Sequence, residues 1–336
     1  MNRRDMILAA TVATLWGFNF VVIDWGMRGV PPLLFVAIRF LVVAAAIVVV
    51  PRPTTSWRTI LGVGLFMSLG QFGLLYTSMA LGLQPGLAAL LLQAQAVFTI
   101  VIAAGVLRER PTLMQVIGVA IGVGGLIVVA AGRGGDAPVF AVLLALAAAV
   151  SWAIGNVISR RAGVVRGRGR LGALSLTVWS ALVVPVPALA LSFAIEGPAA
   201  VGAGLAAFGW RPAVSTLYTA VLCTIIGYAI FNGLLARNRS AAVVPWVLLA
   251  PVVAMASAAL LLAQIPTIAE AVGGALLVTG VLVSGMRSPR SRRGIAAGAE
   301  RSAPAVCGTE LSLSAGTGDP DARKSAAVAD AVRGSG

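Results

Sequence analysis

The chain has 336 residues, of which 59% are hydrophobic and only 11% are charged, and its formal net charge is +14. A soluble domain carries roughly 25% charged residues, so this composition excludes an ordinary soluble fold. The sequence contains no histidine, which excludes histidine-based metal sites and Ser-His-Asp hydrolase chemistry. We therefore expect a membrane protein that is not an enzyme and needs no cofactor.

Apolar runs of 18 or more residues recur through the first 286 positions, and about 20 apolar residues cross a bilayer as a helix. The charges, prolines and glycines between them predict an all-α polytopic protein with ten transmembrane helices. The predicted helices cover 6–25, 31–50, 59–80, 86–107, 112–131, 138–159, 172–194, 212–236, 241–263 and 267–286.

Cationic residues predict the orientation, because loops kept in the cytoplasm carry the excess of lysine and arginine. With the N-terminus inside, 21 of the 25 cations fall in cytoplasmic segments and three in external loops, while Arg39 lies within a helix. This alternation favours ten spans with both termini in the cytoplasm. It also explains the basic charge without nucleic-acid binding. After position 286 the composition becomes polar, and we expect 287–336 to be a disordered basic cytoplasmic tail.

An internal repeat divides the membrane part in two. Residues 92–126 align without gaps to 247–281, at a constant offset of 155 positions. Trp16 and Asn19 also resemble Trp152 and Asn156. Because each predicted half, 1–133 and 138–286, has five helices, the second must enter the membrane with inverted polarity. Inverted repeats of this kind are typical of secondary transporters that bind solute near the midplane.

Several short motifs resemble those of one transporter family. They are LWGFNFVV at 15–22, RF at 39–40, GQF at 70–72, LQAQA at 92–96, RER at 108–110 and SWAIGN at 151–156. Together with the apolar pattern of residues 1–286, they resemble the EamA-type transporters of the drug/metabolite transporter superfamily.

This resemblance implies a multi-pass protein of a bacterial inner membrane. It implies export of small amino-acid-like metabolites, of the O-acetylserine and cysteine class, by alternating access. The expected partners are this small solute and the membrane lipids, without nucleic acid, and a homodimer stays open. A lipid or drug translocase of the same ten-helix architecture is the alternative.

Polar side chains within the spans are the candidates for solute binding, because such groups at membrane depth usually face a cavity or the bundle interior. Arg39 can pair with a substrate carboxylate through its planar fork, or it can instead cap backbone carbonyls between helices. Gln93 and Gln95 diverge by about 200° on an ideal helix, which predicts that only one points straight into a central cavity.

The remaining candidates are amides and aromatic residues. The amides can bind solute or can form interhelical hydrogen bonds, and Asn19 and Gln95 are the first choices for substrate contact. The aromatic residues can line the cavity or can simply pack. The full predicted set comprises Trp16, Asn19, Arg39, Gln71, Gln93, Gln95, Trp152, Asn156, Trp179 and Tyr228. No carboxylate is predicted at mid-membrane, so proton antiport and facilitated efflux are equally consistent with the sequence.

Overall fold

The computed structural model describes residues 1–132, 138–162, 172–238 and 240–286, and these residues form helices joined by turns. The predicted tail over 287–336 and the arginines at 166, 168 and 170 lie outside the described residues. In chain order the helices are α1 (Arg3–Met27), α2 (Pro32–Val48), α3 (Trp57–Ala80), α4 (Pro85–Val106), α5 (Leu113–Ala131), α6 (Val139–Arg161), α7 (Leu174–Ala181 with Pro185–Glu196), α8 (Trp210–Arg237), α9 (Pro245–Leu262) and α10 (Ile268–Ser284).

The helices differ in how well they suit a bilayer crossing. Within the described part of the chain, seven of them are long and apolar enough to cross a membrane, namely all except α2, α7 and α10. The two segments of α7 qualify together but are bent by 43°, and α2 and α10 are shorter apolar helices. A short helix, Pro198–Ala206, follows α7. Each predicted segment thus corresponds to a helix or a bent pair, and seven or eight of them pass the length test.

Corresponding features recur in the two halves. Thr112 with Gln115 and Thr267 with Glu270 form capping boxes at the starts of α5 and α10. In each box the threonine hydroxyl accepts the backbone N–H of the later residue, and the side chain of that later residue accepts the backbone N–H of the threonine. Helix α4 is interrupted by a turn at 93–94, and α9 by a turn at 248–249. Both pairs of features are related by the offset of 155 positions, so the repeat extends from sequence into backbone geometry.

Helices α5 and α10 cross at glycines. A Cβ atom added to Gly118 would lie 2.4 Å from the carbonyl oxygen of Gly280, and one added to Gly125 would lie 2.5 Å from that of Gly273. The earlier residue of one helix thus meets the later residue of the other, so the two helices run antiparallel. Glycine permits this approach because small residues let helix backbones pack closely in membranes. Since 118 corresponds to 273 and 125 to 280, the contact is reciprocal.

Two helices contain π-helical stretches, at Gly64–Gly70 in α3 and at Tyr218–Ile226 in α8. The wider winding redirects backbone carbonyls from the usual i−4 partner, which leaves some of them for side chains of other helices. Phe66 O accepts the Ser151 hydroxyl at 2.7 Å, and Cys223 O accepts the Trp16 indole N–H at 2.9 Å. These irregular segments therefore fix α6 against α3, and α1 against α8, around the centre of the bundle.

Candidate functional site: a central cavity with one cation

A cavity of about 380 Å³ lies at the centre of the bundle, where the interrupted helices and the π-helical stretches meet. Its lining comes from both halves of the chain and is largely aromatic and aliphatic. Nine of the ten predicted residues line it: Trp16, Asn19, Arg39, Gln71, Gln93, Gln95, Trp152, Asn156 and Tyr228.

Trp179 lies elsewhere. Its indole N–H donates to Val50 O at 3.0 Å, and its ring stacks edge-on against Trp57 at a centroid distance of 6.2 Å. It is absent from the described lining of the cavity. The span position of Trp179 could not distinguish these roles, and no described residue of its helix α7 lines the central cavity. Its observed contacts are those of a packing residue.

Gln93 and Gln95 both line the cavity, although an ideal helix would direct only one of them straight into it. The N–H groups of Gln93 and Ala94 donate to Leu90 O and Leu91 O, three residues back, each at 3.0 Å. This tighter winding of about three residues per turn changes the directions of the side chains after it. With roughly 120° per residue, positions two apart are separated by about 240° rather than about 200°, which is about 120° rather than about 160° by the shorter way round the helix. Both amides therefore border one space.

Arg39 is 2% exposed and is held by polar and aromatic groups rather than by a carboxylate. Its Nη1 donates to Tyr76 Oη at 2.7 Å and its Nη2 to Thr224 Oγ1 at 3.2 Å. The guanidinium carbon lies 4.0 Å from the centroid of the Phe72 ring. Within the described residues no acidic side chain lies within ion-pair distance of it. The arrangement fixes the planar fork and leaves its charge uncompensated.

Thr224 is the partner that sequence reasoning missed. The π-helical stretch places it, since Thr224 Oγ1 donates to Thr219 O, five residues earlier, at 2.9 Å. The signal available in the sequence was indirect: a buried arginine needs hydroxyl or carbonyl acceptors, but the spans contain many serines and threonines and the sequence does not say which of them it meets. No residue pattern distinguishes the π-helical stretch around Thr224 from a regular helix, so its pairing with Arg39 could not be predicted from the sequence.

The polar groups of the two halves are not symmetric. Asn156 Nδ2 donates to Gln95 Oε1 at 3.0 Å, so an amide of α6 binds an amide of α4. The offset of 155 places Ala250 where the second half would need a glutamine for Asn19. Accordingly Asn19 is 8% exposed and its Oδ1 has no hydrogen-bond partner. A glutamine of the first half thus satisfies the asparagine of the second half, whereas the amide oxygen of Asn19 has no corresponding partner.

Two further polar atoms of the lining residues are buried without a partner. They are Arg39 Nε and Trp152 Nε1, both N–H donors. A buried donor or acceptor left unpaired costs about 1–3 kcal/mol, so native proteins retain few of them. Three of the unpaired buried side-chain atoms among the described residues thus belong to residues that line this cavity.

A second cavity, of about 520 Å³, continues from the first. It extends to Arg160 and Ala236, near the ends of α6 and α8, which the distribution of cations predicts to lie on the cytoplasmic side. The two cavities share six lining residues, which are Met67, Phe72, Asn156, Thr224, Tyr228 and Phe231. The two cavities therefore adjoin between one end of the bundle and its centre, and we call this second cavity the vestibule.

A polar cluster ties α1 to α8 near the end of the bundle where the vestibule lies. Asp5 is buried, and its carboxylate accepts from Arg237 Nη2 at 3.1 Å and from Asn238 Nδ2 at 2.8 Å. Asn238 also donates to Leu234 O, which fixes the end of α8. This carboxylate was not among the predicted polar residues, because its place in the first turn of α1 is typical of an exposed helix start. The contact holds two helices of the opposite halves together.

The helical bundle, its apolar surface and its central cavity with one buried cation are features of a membrane transporter rather than of a soluble binding protein. The chain matches the model of the EamA-like transporter family twice, over residues 4–131 and 139–286, and it belongs to that family. It is a multi-pass protein of the bacterial inner membrane. The family assignment confirms the resemblance seen in the sequence motifs.

Relatives and a solved structure agree with this assignment. The chain is 39% identical over 298 residues to a "Probable amino-acid metabolite efflux pump" of Salmonella typhimurium, covering 87% of this chain and 99% of that protein. It is 38% identical over 287 residues to an Escherichia coli protein of the same description, covering 84% and 95%. A crystal structure superposes with a TM-score of 0.57 at 20% identity, covering 87% and 99% of the two chains, and this likeness shows the fold alone.

Proposed function

We propose that this protein exports small amino-acid-like metabolites from the cytoplasm as a secondary transporter. The observation that carries the proposal is the central cavity, where one buried cation and a set of amides are surrounded by aromatic rings. Arg39 supplies a rigid fork suited to one carboxylate. The descriptions of the relatives from Salmonella typhimurium and Escherichia coli name the same class of solute.

The solute reaches Arg39 through the vestibule. In the proposed cycle the helices form two inverted five-helix repeats, with ten spans and both termini in the cytoplasm, and the present conformation faces inward. Rocking of one repeat against the other closes the vestibule and opens the opposite end. The reciprocal glycine contact and the paired helix interruptions support this reading, since both obey the symmetry that such a cycle needs.

The proposed substrate site contains Trp16, Asn19, Arg39, Gln71, Gln93, Gln95, Trp152, Asn156 and Tyr228, without Trp179. O-acetylserine and cysteine are the solutes with which to begin. Both carry one carboxylate and a small uncharged side chain, as the single cation and the uncharged lining require. No observation separately favours a lipid or drug translocase, which becomes one outcome of the test.

The test is efflux from proteoliposomes loaded with labelled O-acetylserine or cysteine. We expect saturable efflux by the intact protein and at least about a tenfold loss in Asn19→Ala and Gln95→Ala, because each removes a buried polar contact of about 1–3 kcal/mol. Gln84→Ala is the matched control, since Gln84 is exposed at the start of α4 and makes no capping hydrogen bond. Efflux of drugs or lipids without any amino-acid-like solute would overturn the proposed substrate class.

A further inference from the structure

Arg39 is almost completely covered, although it lines the central cavity. The residue is 2% exposed, and its guanidinium has neighbours on several sides. Tyr76 accepts one of its hydrogen bonds, Thr224 accepts another, and the Phe72 ring lies against the group. A solute carboxylate can therefore reach the N–H groups of Arg39 only if one of these neighbours gives way.

The two hydrogen-bond acceptors of Arg39 are placed differently. Tyr76 is fully buried, is absent from the described linings of both cavities, and accepts from Nη1 at 2.7 Å. Thr224 lines both the central cavity and the vestibule, and accepts from Nη2 at 3.2 Å. This longer distance lies at the upper end of the usual range for an N–H···O hydrogen bond. Of the two acceptors, Thr224 is therefore the one that an entering solute meets and displaces.

The hydroxyl of Thr224 can release Arg39 and keep its other hydrogen bond. It donates its proton to Thr219 O at 2.9 Å, so it offers Arg39 a lone pair only. A carboxylate is the stronger acceptor for a guanidinium, because both groups are charged and two parallel hydrogen bonds can form. Such an exchange also balances the charge of Arg39, which no acidic side chain does within the described part of the chain.

We propose that Thr224 competes with the carboxylate of the solute for Arg39. The hydroxyl holds the guanidinium while the cavity is empty, and it is displaced only by an acceptor stronger than a hydroxyl. Thr224 thereby favours solutes that carry a carboxylate over neutral solutes of similar size. This inference rests on the proposed function and adds to it a residue that determines specificity.

Thr224→Val tests the competition, because valine has nearly the shape of threonine and cannot accept a hydrogen bond. Binding of cysteine and O-acetylserine to the purified full-length protein is followed by quenching of tryptophan fluorescence, since Trp16 and Trp152 line the cavity. We expect binding to become about tenfold tighter, because the solute no longer has to break a hydrogen bond to a charged group. Thr224→Ser returns the hydroxyl and should return the affinity to that of the intact protein.

Thr224→Asp tests the same competition in the opposite direction, because it places a permanent carboxylate beside Arg39. We expect binding at least about tenfold weaker than in the intact protein, and a smaller loss in Thr224→Asn, which has a similar size and no charge. Should Thr224→Val fail to fold, Thr224→Ala removes the same acceptor. Thr279→Val is the matched control, since the hydroxyl of Thr279 donates to Ala275 O of its own helix, away from both cavities.

The outcomes separate this inference from the proposed function. Tighter binding in Thr224→Val together with weaker binding in Thr224→Asp supports both. Unchanged or weaker binding in Thr224→Val, with saturable efflux by the intact protein, overturns the competition and leaves the exporter in place. Undiminished binding in Thr224→Asp, or equally tightened binding in Thr279→Val, would also overturn the competition. Neither binding nor efflux of cysteine and O-acetylserine by the intact protein would overturn both proposals.

Discussion

The crossing of α5 and α10 yields a prediction that the distances make quantitative. In Gly118→Ala the new methyl group would lie 2.4 Å from Gly280 O and 2.7 Å from the backbone nitrogen of Ser284, whereas ordinary contact begins at 3.4 Å. Because both neighbours are backbone atoms, the helices must separate by about 1 Å. A radial gap of that size forfeits about a quarter to a half of each dispersion contact around it.

Overpacking of this kind costs roughly 1–3 kcal/mol, so we expect Gly118→Ala to lower the free energy of unfolding by that amount. The assay is thermal or denaturant unfolding of the purified protein in one fixed detergent. Gly124→Ala is the matched control, because it lies on the same helix and an added Cβ meets nothing within 4 Å. Replacing glycine by alanine in a helix is otherwise favourable by up to about 1 kcal/mol.

Comparing the stabilities of Gly118→Ala and Gly124→Ala tests whether the close approach of α5 and α10 stabilises the protein. If Gly118→Ala is as stable as Gly124→Ala, the close approach is not a determinant of stability and the antiparallel packing must be held by other contacts. If both variants lose stability equally, the cost belongs to α5 as a whole and not to its crossing with α10.

Three further predictions concern the central cavity and the contact between the halves. Arg39→Lys keeps the positive charge but loses the planar guanidinium that Tyr76 and Thr224 hold. The solute concentration for half-maximal efflux should therefore rise by about tenfold or more. An unchanged value would exclude bidentate binding of the carboxylate. Trp179→Phe should lower the unfolding temperature without changing that concentration, because its indole bonds to backbone away from the cavity; a changed concentration would return it to the site. Asp5→Asn should weaken the ion pair with Arg237 that joins α1 to α8, and so increase the labelling rate of a cysteine placed at position 232 of the vestibule. Equal labelling rates with and without Asp5→Asn would contradict this role of the contact.

Much of the architecture was predictable because it follows from periodic and local features. The lengths of the apolar runs, the charged residues between them and the Pro-Thr pairs just before α5 and α10 located the helices. The constant offset of the repeat also predicted which residues would correspond across the halves. Nine of the ten predicted site residues line one cavity for a related reason: a polar side chain inside an apolar span has few places to lie other than the bundle interior.

The parts that could not be predicted depend on backbone irregularities and on contacts between distant helices. The turn at Gln93 brought two amides to one cavity against the expectation for an ideal helix. The π-helical stretch in α8 placed Thr224 beside Arg39. Neither irregularity has a residue pattern that separates it from regular helix. The unpaired state of Asn19 likewise required knowledge of its neighbours, although Ala250 in place of glutamine hinted at it.

The reciprocal glycine crossing has a consequence for how such a chain can arise. Because position 118 meets the counterpart of 125, and 125 meets the counterpart of 118, a single five-helix sequence contains everything needed to form this contact with an upside-down copy of itself. A half-length protein that inserts into the membrane in both orientations could therefore form this helix crossing without any change of sequence. Fusion into one chain then frees each copy to diverge, as the corresponding positions Gln95 and Ala250 have done.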